Sequence, residues 1–450
     1  MSGPVAFVLW VLLAYLVIVN GVYLLLHMLA VRTVREKVTL RPLEGLPPVQ
    51  TALVPPVTVV VAARDDAEHV VDRVRAALAL DYPQFEVVVV NDGSRDATLE
   101  HLREAFALEA FPEVYWRRVP VKPVRTIYHS RLHRNLRVVD KERGGTADAI
   151  NAGVNTSRYP LFIALDPRWT LRRDGLRTLV EPFVDDPATL AACTTLRIDP
   201  DGTAALESGP AELPRSLFSR LQIVEHLREP LFVRLGWARL NAALAVSGSA
   251  ILFRKDAVVE SMGFRGDMLV EEMELVTRMH KLWRAKGERY VVAVVSDPIC
   301  WARPAATLGE LRANRMRWQV GLAQAMAANS ELFGVRHGGV VRWLAYPFLS
   351  WLERFGPAVE VLGLVLLTAM FLLKLLPGLA FVAFLALLFA LGFLVSMSAL
   401  VLEDASFRLY PRWGQSARLA IAAVVENLGY RQLVAFWRFD ALLRWWQTRR

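Results

Sequence analysis

Residues 57–94 read VTVVVAARDDAEHVVDRVRAALALDYPQFEVVVVNDGS, and the division of this stretch decides the fold. Two apolar, β-branched runs, VTVVVAA (Val57 to Ala63) and the start of EVVVVNDGS (Glu86 to Ser94), flank the amphipathic AEHVVDRVRAALAL. Unbroken rather than alternating apolar runs belong to strands covered on both faces. A helix of about a dozen residues between them is the crossover that a parallel pair requires. The stretch therefore predicts a strand-helix-strand unit of an α/β sheet. Asp92 then falls at a strand's carboxyl end, where open parallel sheets bind ligands and a carboxylate can accept hydrogen bonds from a base or ribose. Asp-Gly-Ser is also an ordinary turn.

Toward the N-terminus lies the Pro-containing RPLEGLPPVQTALVPP, whose prolines favour extended backbone. Before it, Val5 to Val31 carry one Asn and one His but no acid, Lys or Arg. At about 1.5 Å per residue this run crosses a hydrocarbon layer of roughly 30 Å. It is too long for a signal-peptide core and lacks a basic lead and a small-residue cleavage site. Arg32, Arg35, Lys37 and Arg41 follow it, whereas Met1 to Pro4 hold no basic side chain. The positive-inside rule thus puts the following region in the cytoplasm and the N-terminus outside.

Toward the C-terminus, Val359 to Leu376 and Leu379 to Leu402 flank Pro377-Gly378 and read as a transmembrane hairpin. WLAYPFLSWLERF (Trp343 to Phe355) and ARLAIAAVVENLGYRQLVAFW (Ala417 to Trp437) mix aromatics with charge, which suits helices lying in the interface or entering the membrane. The expected organisation is an N-terminal transmembrane helix over 1–31, a linker over 32–56 and a cytosolic α/β domain over 57–335. An interfacial helix over 336–356, a transmembrane hairpin over 357–402 and interfacial, membrane-associated helices over 403–450 complete it. Three spans are the simplest topology.

Composition agrees with a bilayer partner. The 450 residues are 54% hydrophobic, high for a wholly soluble protein. The net charge of +9 gathers beside the apolar spans and in the C-terminal RFDALLRWWQTRR, where it meets anionic head groups; no nucleic acid is expected. The two cysteines, Cys193 and Cys300, sit in apolar surroundings, which fits a reducing compartment with neither disulfide nor zinc site.

Four further stretches carry candidate chemistry. In KERGGTADAINAG (Lys141 to Gly153) a glycine pair permits close backbone approach before a helix bearing Asp148; a glycine turn before an amphipathic helix reads the same. In FIALDPRWTL (Phe162 to Leu171) Asp166 ends a strand, with Pro167 as its terminator. MLVEEMELVTRMHKLW pairs Glu271 with Glu272 before a helical run; paired carboxylates suit general-base work, and also a solvated surface. NRMRWQVG brings Asn314, Arg315, Arg317 and Trp318: cations for phosphate and an aromatic face for a sugar, or an amphipathic helix near the membrane.

In this joint order the stretches resemble membrane-bound family 2 glycosyltransferases, the synthases of cellulose, hyaluronan, chitin and poly-N-acetylglucosamine. The resemblance runs from about Val57 to Gln324. VVVNDGSRDAT is similar to the family's nucleotide-binding turn, GGTADAINAG to its GGKADALNAG, LDPRW to its DAD, VEEMEL to its TED or GED segment, and NRMRW to its QRxRW. The segment from Ile223 to Val258, with its Ser247-Gly248-Ser249 turn, resembles the acceptor side. The resemblance implies a Rossmann-like GT-A domain inserted between transmembrane helices, in the inner (plasma) membrane. It also implies an inverting, single-displacement transfer from a nucleotide-diphospho-sugar, a UDP-sugar being the expected donor, to a growing polysaccharide, with export coupling and other subunits of an export complex in prospect. By carry-over, Ala63, Asp65, Asp92, Asp148, Asp166 and Arg168 hold the nucleotide and donor. Glu272, with Glu271 beside it, occupies the general-base position, and Asn314, Arg317 and Trp318 line the pyrophosphate and acceptor end. Asp166 is the candidate ligand for Mg²⁺ or Mn²⁺.

The departures fall on these same positions. Arg168 replaces the second Asp of DAD, Thr146 the Lys of GGK, Glu272 the base Asp and Asn314 the Gln of QRxRW. Glutamate keeps a carboxylate one methylene farther out. A guanidinium cannot ligate a cation. It can still place a fixed positive charge on a leaving diphosphate, which makes metal-independent action through Arg168 the alternative to a metal. The rival expectation is a catalytically impaired pseudo-glycosyltransferase acting as partner, sensor or scaffold in a polysaccharide secretion complex.

Overall fold

Val57–Ala63 (β1) and Phe85–Asp92 (β2) are parallel neighbours, from Val57 opposite Phe85 to Ala63 opposite Asn91. The crossover between them is the helix Val70–Leu78, which turns Val70, Val74 and Ala77 into the core. The computed structural model describes residues 3–40, 54–199 and 212–447; most of the linker, at 41–53, and the last three residues of the basic tail lie outside the described residues. Within this range the chain forms two compact units. One comprises Leu43–Leu196 and Val246–Ala302; the other comprises Met1–Pro42, Arg197–Ala245 and Arg303–Arg450. The stretch 57–335, read from sequence as one domain, thus divides between them.

The first unit is built on a mixed sheet. Its remaining strands are Leu108–Ala110 (β3), Val124–Ser130 (β4), Leu136–Lys141 (β5), Leu161–Leu165 (β6), Trp169–Leu171 (β7), Thr189–Ile198 (β8), Ile251–Arg254 (β9) and Val291–Ala302 (β10). They lie in the order β3-β4-β5-β2-β1-β6-β9-β8-β10-β7. The central four, β5, β2, β1 and β6, are mutually parallel, so their carboxyl ends share one edge. Antiparallel β4 and β9 flank them. Val57, Val59, Val61, Val87 and Val89 are fully inaccessible or nearly so, as continuous apolar strands require. Cys193 and Cys300 are buried in β8 and β10, packed as small hydrophobes.

The second unit is helical. Four of its helices are long and apolar enough to cross a membrane, by length and composition: Gly3–Arg35, Val341–Leu372, Gly378–Ser406 and Trp413–Gln447. Sequence reading has three, because it makes residues 417–437, the middle of the fourth, an interfacial helix; it also sets the charged and aromatic start of the second, with Glu353 and Arg354, apart from its span. Glu353 is in fact buried and held by Arg438 at 2.7 Å, so its charge is matched inside the unit. The fourth helix is interrupted by non-helical backbone at Leu428 and Gly429, leaving pieces of 13 and 17 residues. At about 1.5 Å per residue, each falls short of a full hydrocarbon crossing.

Candidate functional site

The carboxyl edge of the four parallel strands gathers most of the candidate residues. The register sets Asp92 beside Lys141 and Asn91 beside Asp140, so successive pairs emerge on opposite faces. On one face Asn91 Nδ2 donates to Asp140 Oδ1 at 2.7 Å, and Ser94 Oγ donates to Asn91 Oδ1 at 2.6 Å. On the other, Asp92 Oδ1 accepts from Lys141 Nζ at 2.9 Å and from the Gly144 amide at 2.8 Å, while Oδ2 accepts from the Gly145 amide at 2.7 Å. Lys141 is wholly inaccessible and also ion-pairs with Asp148, whose Oδ1 accepts the Lys122 amide at 3.0 Å. Asp92 and Asp148, expected to hold the nucleotide, are therefore bridged by a buried lysine, and Asp92 pins the glycine turn.

That turn depends on its glycines. A Cβ on Gly144 would lie 2.2 Å from Asp148 Oδ2, so no other side chain fits beside the carboxylate. Gly93 has φ +63, and a Cβ there would stand 2.8 Å from the Arg143 amide nitrogen. Ala63 is buried at the end of β1. Asp65 follows in a left-handed conformation with φ +47; its amide donates to Ser94 Oγ at 3.0 Å and its Oδ1 accepts the Arg95 amide at 2.8 Å. Those bonds tie the loops after β1 and β2 together.

The second cluster follows β6, two strands from β2 and hence about 10 Å away at the usual strand spacing. Arg168 folds back on Asp166. Its Nε donates to Oδ1 at 2.8 Å and to Oδ2 at 3.0 Å, its amide donates to Oδ1 at 2.8 Å, and its Nη2 also reaches Oδ2. The guanidinium holds its proton more firmly than usual. The hydrogen bond to Asp166 leads this shift, burial opposes it, and the charges of Asp166, Glu272 and Glu271 add to it. Glu271 and Glu272 thus lie within electrostatic reach of Arg168. Both open the helix Glu271–Lys286. Glu274, one turn in, is buried and takes Arg278 in a fork of 3.0 and 2.7 Å that fixes the start of the helix.

Among the described residues no three His, Cys, Asp or Glu side chains converge as a cation site. Asp166 offers both its oxygens to a guanidinium that cannot itself ligate.

Asn314, Arg317 and Trp318 lie in the helical unit, on the helix Leu308–Ala328. Asn314 and Arg317 are exposed, and Trp318 stacks under the Arg438 guanidinium, 5.0 Å from the ring centre. Arg315 is the anchored member of this motif. It forks onto buried Glu225 at 2.8 and 2.6 Å, and Tyr430 donates to the same carboxylate at 2.7 Å. Burial alone would raise the Glu225 carboxyl, but the charge and hydrogen bonds of Arg315 bring it down to about 2.

Sequence reading gave Lys141 no role. The available signal was its place as the last residue of a strand lying beside β2, but pairing it with Asp92 requires the register.

Known proteins resemble parts of this chain. Residues 58–256 match the family model described as "Glycosyl transferase family 2". Poly-beta-1,6-N-acetyl-D-glucosamine synthase of Staphylococcus aureus (strain COL) is 25% identical over 267 residues, 59% of this chain and 54% of that protein. The synthase of Staphylococcus epidermidis is 23% identical over 266 residues, with the same two coverages of 59% and 54%. The chain thus spans about half the length of these curated relatives. Among solved structures, mannosyltransferase PcManGT from Pyrobaculum calidifontis, in complex with GDP-Man and Mn²⁺, superposes with TM-score 0.47 and 18% identity, covering 93% of this chain and 99% of that one. S. aureus TarS 1–349 in complex with UDP-GlcNAc gives TM-score 0.40 and 13% identity, covering 84% and 92%. Residues 58–256, which hold the strands of the carboxyl-edge cluster, thus match the glycosyl transferase family 2 model, and helices long and apolar enough to cross a membrane precede and follow them in the sequence.

Proposed function

We propose that this chain is a membrane-bound inverting glycosyltransferase. It moves a sugar from a nucleotide-diphospho-sugar, a UDP-sugar being the expected donor, onto a growing glycan that leaves through the membrane. The observation that carries the reading is the fork of Arg168 on Asp166 just past β6, within the residues that match the family 2 model, with Glu271 and Glu272 within electrostatic reach of the guanidinium.

In the proposed step an acceptor hydroxyl oxygen attacks the anomeric carbon from the face opposite the diphosphate. The new C–O bond forms as the bond from that carbon to the phosphate oxygen breaks, and the nucleoside diphosphate leaves with the electron pair. Glu272, in the first turn of its helix, takes the hydroxyl proton as general base. Asp166 orients Arg168 through Nε and Nη2, and the half-exposed guanidinium turns its remaining donors to the leaving diphosphate. The positive charge on the leaving diphosphate thus comes from the chain itself. Asp92, Lys141 and Asp148 set the glycine turn against which the nucleotide lies, while Ala63 and Asp65 close the neighbouring loop. Arg32 and Arg35, in the last turn of the first apolar helix, support an inner-membrane protein with its catalytic domain on the cytosolic side.

The test is Glu272→Gln in protein reconstituted in lipid. Donor-dependent product should fall at least about 100-fold while UDP-sugar affinity stays within threefold. Retained turnover removes Glu272 from the base role. The same forks on Asp92 and Asp166 also suit a non-catalytic partner, sensor or scaffold in a secretion complex. Any product abolished by Glu272→Gln decides against that second reading.

A further inference from the structure

Beyond transfer itself, one edge of the catalytic unit has the chemistry of a lipid-contacting surface. Between β3 and β4 the chain runs through residues 111–123 without regular structure, yet it is firmly tied. The Phe111 amide donates to the Ile127 carbonyl at 2.9 Å. Asn155 Oδ1 accepts the Arg118 and Val119 amides at 3.0 and 2.9 Å, and its Nδ2 donates to the Val119 carbonyl at 2.8 Å. Glu113 is turned inward onto Arg137 at 2.9 Å, Arg158 at 2.9 Å and His129 at 3.1 Å.

Along this anchored segment the side chains alternate. Glu113 and Tyr115 are partly covered, whereas Val114 is 96% exposed and Trp116 80% exposed. Phe111, 54% exposed, opens the row. The Phe111 ring packs against His129, 4.7 Å between ring centres, whereas fixed backbone that displays Val114 and Trp116 outward is poised to bury them against something else. The charge around them is of one sign. Arg117, Arg118, Lys122 and Arg125 are all exposed, and the segment's single acid, Glu113, faces inward. Asp256, 3.6 Å from Arg118, and Asp140, 3.9 Å from Arg125, are the acidic side chains facing this basic row in the described contacts. Tryptophan beside Lys and Arg is the composition of a membrane-water interface. An acidic protein partner would answer the charge without calling for an outward tryptophan and valine row.

We propose that residues 111–125 dock on an anionic lipid surface, with Val114 and Trp116 entering the head-group layer and Arg117, Arg118, Lys122 and Arg125 pairing with its phosphates and carboxylates.

The native thiols, Cys193 and Cys300, are buried, so a thiol at Val114→Cys can be labelled selectively in the full-length protein. A fluorophore there is read in nanodiscs whose lipids carry a bromine quencher in the upper acyl chain. Phosphatidylglycerol-containing discs at low salt should quench it at least twofold. Pure phosphatidylcholine, about 0.5 M salt, or the double change Arg117→Glu with Lys122→Glu should each abolish that quenching. A melting temperature for the double variant matching the parent excludes unfolding as the cause. Absence of quenching in every lipid overturns the proposal, as does quenching indifferent to charge. Photo-crosslinking from position 114 in native membranes to protein rather than lipid overturns it equally.

Discussion

Lys141→Met tests the least expected feature of the site. The lysine side chain is fully inaccessible and neutralises two carboxylates at once, with Nζ 2.9 Å from Asp92 Oδ1 and an ion pair to Asp148. Methionine keeps much of the volume and removes the charge, leaving two carboxylates facing each other. Breaking a buried pair from one side costs about 3–5 kcal/mol. The lower end applies here. Asp92 keeps the Gly144 and Gly145 amides, and Asp148 keeps the Lys122 amide and some solvent. A loss of about 3 kcal/mol corresponds to roughly a hundredfold in the local opening equilibrium, and it should be confined to the turn that Asp92 holds. Hydrogen exchange of the Gly144 and Gly145 amides reads this directly. Their protection should drop about 100-fold in Lys141→Met, and nucleotide affinity should fall with it. Adding Asp92→Asn to Lys141→Met removes one of the two opposed charges and should recover part of the loss. Amide protection unchanged within threefold in the single variant would refute the claim that this lysine organises the turn.

Two other perturbations follow from the same geometry. Gly144→Ala forces a methyl group to 2.2 Å from Asp148 Oδ2, so the carboxylate must leave Lys141; a loss of about 1–3 kcal/mol should appear as a lower melting temperature with weaker nucleotide binding. Glu113 is the acid-sensitive element. Burial would raise its carboxyl, but hydrogen bonds and charge from Arg158 and Arg137 hold it at about 2, below its ordinary 4.5. Its contribution is therefore complete above about pH 4.5 and is lost as pH falls toward 2. Denaturation midpoints followed over that window should decline less steeply in Glu113→Gln than in the parent.

The central strands were legible because both faces of β1 and β2 are covered. That leaves unbroken valine runs which no exposed strand would carry. The antiparallel flank was not legible: β9 is only four residues long, and its pairing with β6 and β8 is a long-range event. In the helical unit, apolar length identified the spans, but the aromatic and charged start of Val341–Leu372 concealed its continuity, since the partner of Glu353 is Arg438, far along the chain. At the site, Asp166 and Arg168 announced themselves as a departure two residues apart, so their fork is local chemistry. Asp92 and Asp148 were found by position, while their orientation was not, because it is set by a lysine delivered from a neighbouring strand.

Calorimetric titration of UDP and UDP-N-acetylglucosamine into the purified full-length protein, in EDTA and in Mn²⁺, tests the central claim most directly. The account predicts saturable binding of comparable affinity in both buffers, and a loss of at least tenfold in EDTA for Arg168→Ala, equal to about 1.4 kcal/mol. Binding that appears only with Mn²⁺ and survives Arg168→Ala would contradict the role given to the arginine. Absence of binding by either ligand in both buffers would contradict a nucleotide-sugar site altogether.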